Sequence, residues 1–380
     1  MNRLVVHSKR LGIFSNSEIT PSLLLNGEQF HFIEELAVNN ERQNLSHFNG
    51  FNDIAVMYYF IHRERHVRHE RNREDNTKQE YTRVLLQFYK YLEDNRGFFE
   101  QEVAEYDNTS LLKNLRPRHI KAFQKFLSTA PLGRGGKPYK AATLHQKNTV
   151  IKSFLIFLFE NGYIQYPLHK SMLSTSISKD EIPNRDLYYH EVKQLLDYYK
   201  DHPINLGLLT TMAMTGLRVQ EISKAKLCDL YIDPLTGNHR LKGIGKGGTP
   251  FDCLIHPINF ERIMAFRKRR KMSTTIDPTD KSPLFATQKG AAYNYKNLSN
   301  YISREIQKTN LSFLKHRPTN ITPHSFRHFY AIYSRQMGAD ILDIQKALNH
   351  KDRRTTERYL EKVLQREHEV SSRWDQSQFE

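Results

Sequence analysis

Apolar residues recur at helical spacing through the first half of the chain. Thr77–Glu80 has the form of a capping box, so a helix is predicted to start there. Its apolar stripe consists of Tyr81, Leu85, Phe88 and Leu92. A second helix is predicted to open at Arg116–His119, and a third to run from Ala141 to Glu160, where Asn161-Gly162 is a C-terminal stop signal. Helices with apolar stripes at these positions predict a small all-helical bundle over residues 76–170.

The second half is predicted to be a separate, mixed domain. Residues 171–185 are polar, contain a proline and show no sustained periodicity, which indicates an interdomain linker. Helical patterning resumes at His190–Tyr199 and at Ile204–Thr215, which ends at a glycine. Between Leu230 and Pro257, turn signals at strand-like spacing predict a small antiparallel sheet. The fold class is therefore mainly α, a helical bundle followed by a mixed α/β domain over residues 186–365 and a tail over 366–380.

Residues 1–75 form an N-terminal extension in this scheme. Glu28–Val38 and Ile54–His62 have the pattern of short helices, and we identify no strand pattern. His62–Arg73 is a mixed but mostly basic run. Such a run is typical of a solvated surface, and the alternative is an arm that contacts DNA.

Charge narrows the choice of partner. The 380 residues include 57 Lys and Arg against 41 Asp and Glu, a net charge of +16. This excess favours a polyanion, and nucleic acid leads, because an anionic membrane surface would call for a basic amphipathic helix or a lipidation signal, and neither is evident. Two cysteines are too few for a disulfide framework, and the longest apolar stretch, Phe154–Phe159, is too short for a span. We therefore expect a soluble, cytoplasmic protein.

Six polar residues, spread over about 140 positions, are the candidate chemistry. They are Arg218, Lys246, His324, Arg327, His350 and Tyr359. Their local strings include Thr215-Gly-Leu-Arg218, Gly245-Lys-Gly247, Pro323-His-Ser-Phe-Arg-His328 and Leu348-Asn-His350. The ordered set resembles the site-specific tyrosine recombinase, or phage integrase, family over roughly residues 76–365. The family prefers glycine where this chain has Asn349.

The resemblance implies a role for each residue. Tyr359 would be the nucleophile, nine positions after His350, and Arg218 and Arg327 would bracket the scissile phosphate. Lys246 would protonate the leaving 5′-oxygen. The two histidines, His324 and His350, would accept the tyrosine proton and donate to a nonbridging oxygen.

Two neighbouring residues, Glu221 and His328, are given supporting roles. Glu221 matches a family acid that orients its helix or the arginine. His328 is expected to pack structurally or to support Arg327. His324 and His328 have zinc-protease spacing, but a zincin needs Glu where Ser325 stands, and no Asp/Glu cluster suggests a metal-dependent nuclease.

The function implied is site-specific DNA recombination through a 3′-phosphotyrosyl intermediate and a Holliday junction, without metal or nucleotide cofactor. The expected partners are double-stranded DNA carrying a recombination site, three further copies in a tetramer, and possible accessory DNA-bending or directionality factors. The tail beyond the tyrosine helix would dock on a neighbouring protomer or on its own domain. The alternatives are a type IB topoisomerase, which shares the catalytic set, and a DNA-binding regulator on the same fold. A nucleoid location follows from a DNA substrate.

Overall fold

The structure is a computed structural model of the chain. It describes residues 19–67, 72–178, 181, 184–367 and 369, with the side chains of Lys246, Arg366 and Glu367 left outside the description. The chain forms two compact units that divide at residues 182–183, inside the segment interpreted above as a linker. The mainly helical fold class with a small antiparallel sheet is confirmed.

The first unit is all-helical over its described residues. Its helices are α1 (Pro21–Leu25), α2 (Phe30–Arg42), α3 (Asp53–His62), α4 (Asp75–Asp94), α5 (Arg96–Glu102), α6 (Pro117–Thr129) and α7 (Ala141–Glu160). They share one hydrophobic core, to which α2 and α3 contribute residues such as Ile33, Val56 and Phe60 alongside Phe154 and Phe157 of α7. The helices before residue 75 are therefore packed into the same core as the predicted bundle.

Two local predictions in this unit have different outcomes. The helix Ala141–Glu160 is found with the predicted bounds. The capping box at Thr77 is wrong, because α4 begins two residues earlier at Asp75, with Glu74 as an N-cap that makes no side-chain capping bond. Asp75 places a negative charge in the first turn, where the helix dipole favours it, and Thr77 lies inside the helix.

Two arginines from the basic run pack against aromatic side chains. The guanidinium of Arg63 lies 4.1 Å from the centre of the Phe157 ring, and that of Arg73 lies 4.6 Å from Phe60 and 4.4 Å from Tyr81. Arg73 also donates to the carbonyl of Ile61 at 3.2 Å. Burial lowers the pKa of both guanidinium groups, that of Arg73 to about 10. These two arginines are therefore structural cations, and residues 68–71 of the run lie outside the described residues.

The second unit combines eight helices with three strands in its described part. Its helices are α8 (Tyr189–Tyr198), α9 (Pro203–Thr215), α10 (Val219–Lys224), α11 (Pro257–Arg269), α12 (Tyr295–Lys308), α13 (Pro323–Gln336), α14 (Ile341–Ala347) and α15 (Arg353–Glu367). The strands are β1 (Leu230–Ile232), β2 (His239–Ile244) and β3 (Pro250–Ile255), which lie in the order β1-β2-β3. Both pairings are antiparallel, and Ile244 pairs with Pro250 at the turn end of the β2–β3 hairpin.

The core of this unit lies around α9, which is buried on nearly all sides. A smaller apolar cluster, which includes Ile344, Leu348 and Leu360, joins α13, α14 and α15. Among the described residues, no helix is both long and apolar enough to cross a membrane. The ends of α9 and α14 and the first turns of α10 and α13 carry most of the residues predicted to be functional.

Candidate active site

The six predicted residues come from five separate segments of the second unit. Arg218 is the N-cap of α10, His324 and Arg327 lie in the first turns of α13, His350 lies between α14 and α15, and Tyr359 lies on α15. Lys246 begins the short 3₁₀ turn Lys246–Gly248 between β2 and β3. Its side chain lies outside the described part of the structure. The side chains of the other five are brought together around one site.

The hydroxyl of Tyr359 forms a hydrogen bond with Nε2 of His324 at 3.0 Å. The tyrosine is 8% exposed, and the His350 ring stands nearly perpendicular to it with ring centres 5.1 Å apart. Burial, followed by the charges of nearby histidine and arginine side chains, lowers the pKa of His324 to about 3. A neutral imidazole at this position is able to accept the phenolic proton.

Arg327 is buried and joins two segments of the site. One terminal nitrogen donates to the carbonyl of Gly216 at 2.8 Å, and the other donates to the carbonyl of Leu348. Its Nε is buried without a hydrogen-bond partner among the described residues. Burial, and then repulsion from Arg218, lowers the pKa of Arg327 to about 10. The guanidinium stays charged near neutrality and keeps donors for an anion.

The turn that precedes Arg218 depends on a glycine. Gly216 ends α9 with a left-handed φ of 61°. A Cβ at this position would meet the ring of Tyr330 at 2.8 Å and the side chain of Leu348 at 2.9 Å. Only glycine therefore fits both the backbone conformation and the space, and the carbonyl of this residue is the one that Arg327 binds.

Glu221 orients Arg218 and also lies against the β2–β3 hairpin. Its two carboxylate oxygens accept from the Arg218 backbone N–H at 2.7 Å and from the guanidinium at 2.9 Å. The carboxylate is buried, whereas a third of the Arg218 side chain is exposed. A Cβ on Gly245 would lie 2.7 Å from Oε1 of Glu221, so this close approach requires glycine. Glu221 therefore fixes the position of Arg218 and packs against the hairpin.

His350 is fixed by the helix that carries the tyrosine. Its Nδ1 lies 2.9 Å from Oγ1 of the fully buried Thr356. Burial, with the positive charges of Arg327 and Arg218, lowers the pKa of His350 to about 3. The imidazole is therefore neutral, and it carries one N–H. When the Thr356 hydroxyl donates to Nδ1, that N–H is on Nε2 and is available to a ligand.

His328 has a more specific place than the sequence indicated. Its ring stacks on the Tyr359 ring with centres 3.8 Å apart and planes inclined by 22°. Its Nδ1 lies 3.4 Å from a carboxylate oxygen of Asp186, which also pairs with Lys362 of α15 at 3.0 Å. The Nδ1 of His328 is buried and lacks a partner in good hydrogen-bond geometry among the described residues. His324 and His328 lie one helical turn apart on α13, and that spacing was the only signal in the sequence.

A cavity of about 220 Å³ adjoins these residues. It is lined by Arg218, Val219, Gln220, Tyr295, Pro323, His324 and Arg327. Its wall thus combines two guanidinium groups with the histidine that holds the tyrosine hydroxyl. Within the described ranges, no group of three or more His, Cys, Asp or Glu side chains is arranged to hold a metal ion. The arrangement suits a tetrahedral oxyanion held beside a nucleophilic phenol.

Comparison with known proteins agrees with this geometry. The profile of the phage integrase family matches residues 185–366, which contain all six predicted residues. The second unit of the chain is a phage integrase domain. The match begins at the linker and ends at the C-terminal part of α15, so it covers the second unit, and the first unit lies outside it.

Relatives and solved structures extend the likeness to both units. The tyrosine recombinase XerC of Roseiflexus castenholzii is 24% identical over 304 residues, which span 78% of this chain and 86% of that protein. XerC of Halalkalibacterium halodurans is 28% identical over 58% of this chain and 71% of its own length. The crystal structure of the XerH site-specific recombinase bound to palindromic difH substrate matches 90% of each chain with a TM-score of 0.58 and 19% identity. A lambda integrase tetramer bound to a Holliday junction gives a TM-score of 0.54 and 14% identity, over 76% of this chain and 72% of that one.

Proposed function

We propose that this integrase-family protein is a site-specific DNA recombinase that cuts and rejoins DNA through a covalent bond to Tyr359. The observation that carries the assignment is the hydrogen bond between the Tyr359 hydroxyl and His324, beside a cavity lined by Arg218 and Arg327. A nucleophile, a neutral base and two phosphate-binding cations then lie in one place.

In the proposed reaction, the Tyr359 oxygen attacks the scissile phosphorus while Nε2 of His324 takes the phenolic proton. The bond from phosphorus to the 5′-oxygen breaks, and the departing oxygen receives a proton from Lys246. The products are a 3′-phosphotyrosyl ester and a free 5′-hydroxyl. Attack by the 5′-hydroxyl of a partner strand reverses each transfer and releases Tyr359, so the energy of the original bond is kept in the ester.

Charge on the phosphorane is balanced by fixed groups. Two N–H groups of Arg327 are committed to the carbonyls of Gly216 and Leu348, and its buried Nε–H, which has no partner among the described residues, is left for a phosphate oxygen. Arg218, held by Glu221, faces the same cavity. His350 supplies a further N–H to a nonbridging oxygen. Because both arginines are fixed by protein contacts, their positions cost little reorganisation when the charge develops.

The partners follow from the same assignment. We propose double-stranded DNA with a specific site as the substrate and a homotetramer on two synapsed duplexes as the active assembly, supported by the XerH–difH and lambda integrase–Holliday junction structures to which this chain is similar. We propose residues 76–170 as the DNA-binding bundle, with α2 and α3 packed into its core, and residues 171–185 as the linker. The protein would then act in the cytoplasm, on the nucleoid. The proposed docking tail, residues 366–380, falls largely outside the described residues.

The experiment is covalent trapping. A binding site is first selected from a random duplex library and then made as a suicide duplex, nicked beside the scissile phosphate. The wild-type protein should accumulate a protein–DNA adduct. Tyr359→Phe removes one hydroxyl, so it should bind the duplex normally and form no adduct. An adduct with the Phe variant would assign the nucleophile to another tyrosine.

A second measurement separates recombination from its alternatives. Two differently labelled duplexes that carry the selected site should give intermolecular joint products with the wild-type protein. Relaxation of supercoiled DNA without joint products would indicate a type IB topoisomerase, and binding without an adduct would indicate a regulator.

A further inference from the structure

The turn of the β2–β3 hairpin, which carries Lys246, is held at its two ends by contacts from two directions. The Gly245 N–H donates to the carbonyl of Thr249 at 2.7 Å and closes the turn. On one side, the carboxylate of Glu221 lies directly against Gly245. On the other side, Nδ2 of Asn349 donates to the carbonyl of Pro250 at 2.8 Å. The second contact joins residues 99 positions apart and has no role in the mechanism described above.

Asn349 stands in an unusual backbone conformation. Its φ of 53° lies in the left-handed region, which glycine adopts freely and asparagine tolerates better than most residues. The backbone turn itself therefore needs no side chain at this position. What the asparagine side chain adds is its amide, and in this structure the amide is used to bind the hairpin.

The position of Asn349 relates the hairpin to the reacting phosphate. Its neighbour His350 is fixed to Thr356, and its other neighbour Leu348 offers its carbonyl to Arg327. The bond to Pro250 therefore attaches the end of the turn to the segment that holds two proposed phosphate-binding groups. Pro250 lies four residues after Lys246. A shift of this end of the turn would move Lys246 relative to those groups, and proton transfer is sensitive to such displacements.

We propose that Asn349 is a positioning residue for Lys246: its amide fixes the β2–β3 hairpin so that the lysine is placed at the leaving 5′-oxygen. This inference rests on the proposed role of Lys246 as the general acid. The proposed effect of Asn349 differs from that of the arginines, because Asn349 would affect protonation of the leaving group and would not affect stabilisation of the phosphorane.

The test compares cleavage of two suicide duplexes that differ in one bridging atom. Oxygen at the 5′ position leaves as an alkoxide, whose conjugate alcohol is a very weak acid, as water is, so it needs protonation as it departs. Sulfur leaves as a thiolate, whose conjugate thiol has a pKa near 8.5, and it needs no protonation. Asn349→Gly keeps the backbone conformation and removes the amide. It should cleave the oxygen duplex about three- to tenfold more slowly, the effect of one hydrogen bond, and cleave the sulfur duplex at the wild-type rate.

Asn310→Gly is the matched control. Asn310 also has a positive φ, of 50°, in the same unit, and its exposed side chain makes no hydrogen bond within the described residues. Cleavage by this variant should equal that of the wild type on both duplexes, and both variants should bind DNA normally and melt close to the wild type.

Lys246→Ala completes the design as the reference variant. In a Lys246→Ala background, Asn349→Gly should cause no further loss, because the amide acts through the lysine. The inference would be overturned if Asn349→Gly slowed cleavage of both duplexes equally or slowed neither of them. It would also be overturned if Asn349→Gly caused its full loss of rate in the Lys246→Ala background. If Lys246→Ala itself gains nothing from sulfur, the acid assignment fails instead, and the double-variant comparison still decides whether Asn349 acts through Lys246.

Discussion

Arg327→Lys and Arg218→Lys should have similar effects on cleavage and different effects on stability. Both substitutions keep a positive charge and remove the planar fork that is proposed to bind two phosphate oxygens. Only Arg327, however, is buried and bonded to two backbone carbonyls, those of Gly216 and Leu348. The Arg218 side chain is one-third exposed and is paired with Glu221.

The magnitudes follow from these contacts. A lysine at 327 offers one nitrogen, so at least one of the two carbonyl bonds is lost and a buried acceptor is left unpaired. Loss of a charge-assisted bond of this kind costs about 2–4 kcal/mol. For a unit of this size that corresponds to a fall in Tm of about 4–16 °C. A lysine at 218 can keep the ion pair with Glu221, so its cost should stay below about 1 kcal/mol.

The assay combines thermal melts with single-turnover cleavage of the suicide duplex. Both variants should cleave about 10²–10³-fold more slowly, the scale of losing a fixed donor to a developing charge. Only Arg327→Lys should also melt clearly earlier. Equal melting temperatures would refute the view that Arg327 holds the Gly216 and Leu348 segments together. An early-melting Arg218→Lys variant would refute the view that a lysine at 218 keeps the ion pair with Glu221.

Three further outcomes are expected. Gly216→Ala should lower the free energy of unfolding, measured in urea, by about 2–4 kcal/mol, because the new Cβ would meet Tyr330 at 2.8 Å and φ is 61°. The control Gly237→Ala should cost only about 1 kcal/mol, because its φ of 72° is similar but its Cβ would lie in open space. The folded pKa values of His324 and His350 lie near 3, so between pH 6.5 and pH 3 the unfolded chain binds more protons than the folded chain. The free energy of unfolding should therefore decrease as the pH is lowered across this window, and it should decrease less in the His324→Gln and His350→Gln variants. Adduct formation should persist in excess EDTA without nucleotide; loss on chelation, restored by one specific metal, would contradict the proposed mechanism.

The sequence was informative wherever a function or an element has a local signature. The helix Ala141–Glu160 shows its apolar stripe and its stop signal, and family membership could be recognised from six residues whose strings are short but ordered. Local signatures also compete with each other. The capping pattern at Thr77 was overridden by two further residues that continue the helix towards its N-terminus.

What the sequence could not reveal are contacts made only after the chain has folded. The stacking of His328 on Tyr359 joins α13 to α15, and the carboxylate of Asp186 reaches Lys362 across 176 positions. Neither contact leaves a periodic or compositional trace. The same holds for Arg63 and Arg73, which form part of a basic run in the sequence and lie over aromatic rings in the structure.

The site is held together by the groups that are proposed to bind its substrate, and this has an energetic consequence. Burial and the nearby Arg218 lower the pKa of Arg327, which shows that placing the two cations together opposes folding of the charged form. A phosphate anion between them reduces that repulsion, so DNA binding should add stability to the same segments that Arg327 joins. Functional sites commonly carry such a cost, because like charges placed to bind a substrate are not paired with opposite charges of the protein itself. The carbonyls of Gly216 and Leu348 offset part of this cost before DNA is bound, and they also fix the guanidinium in place for catalysis.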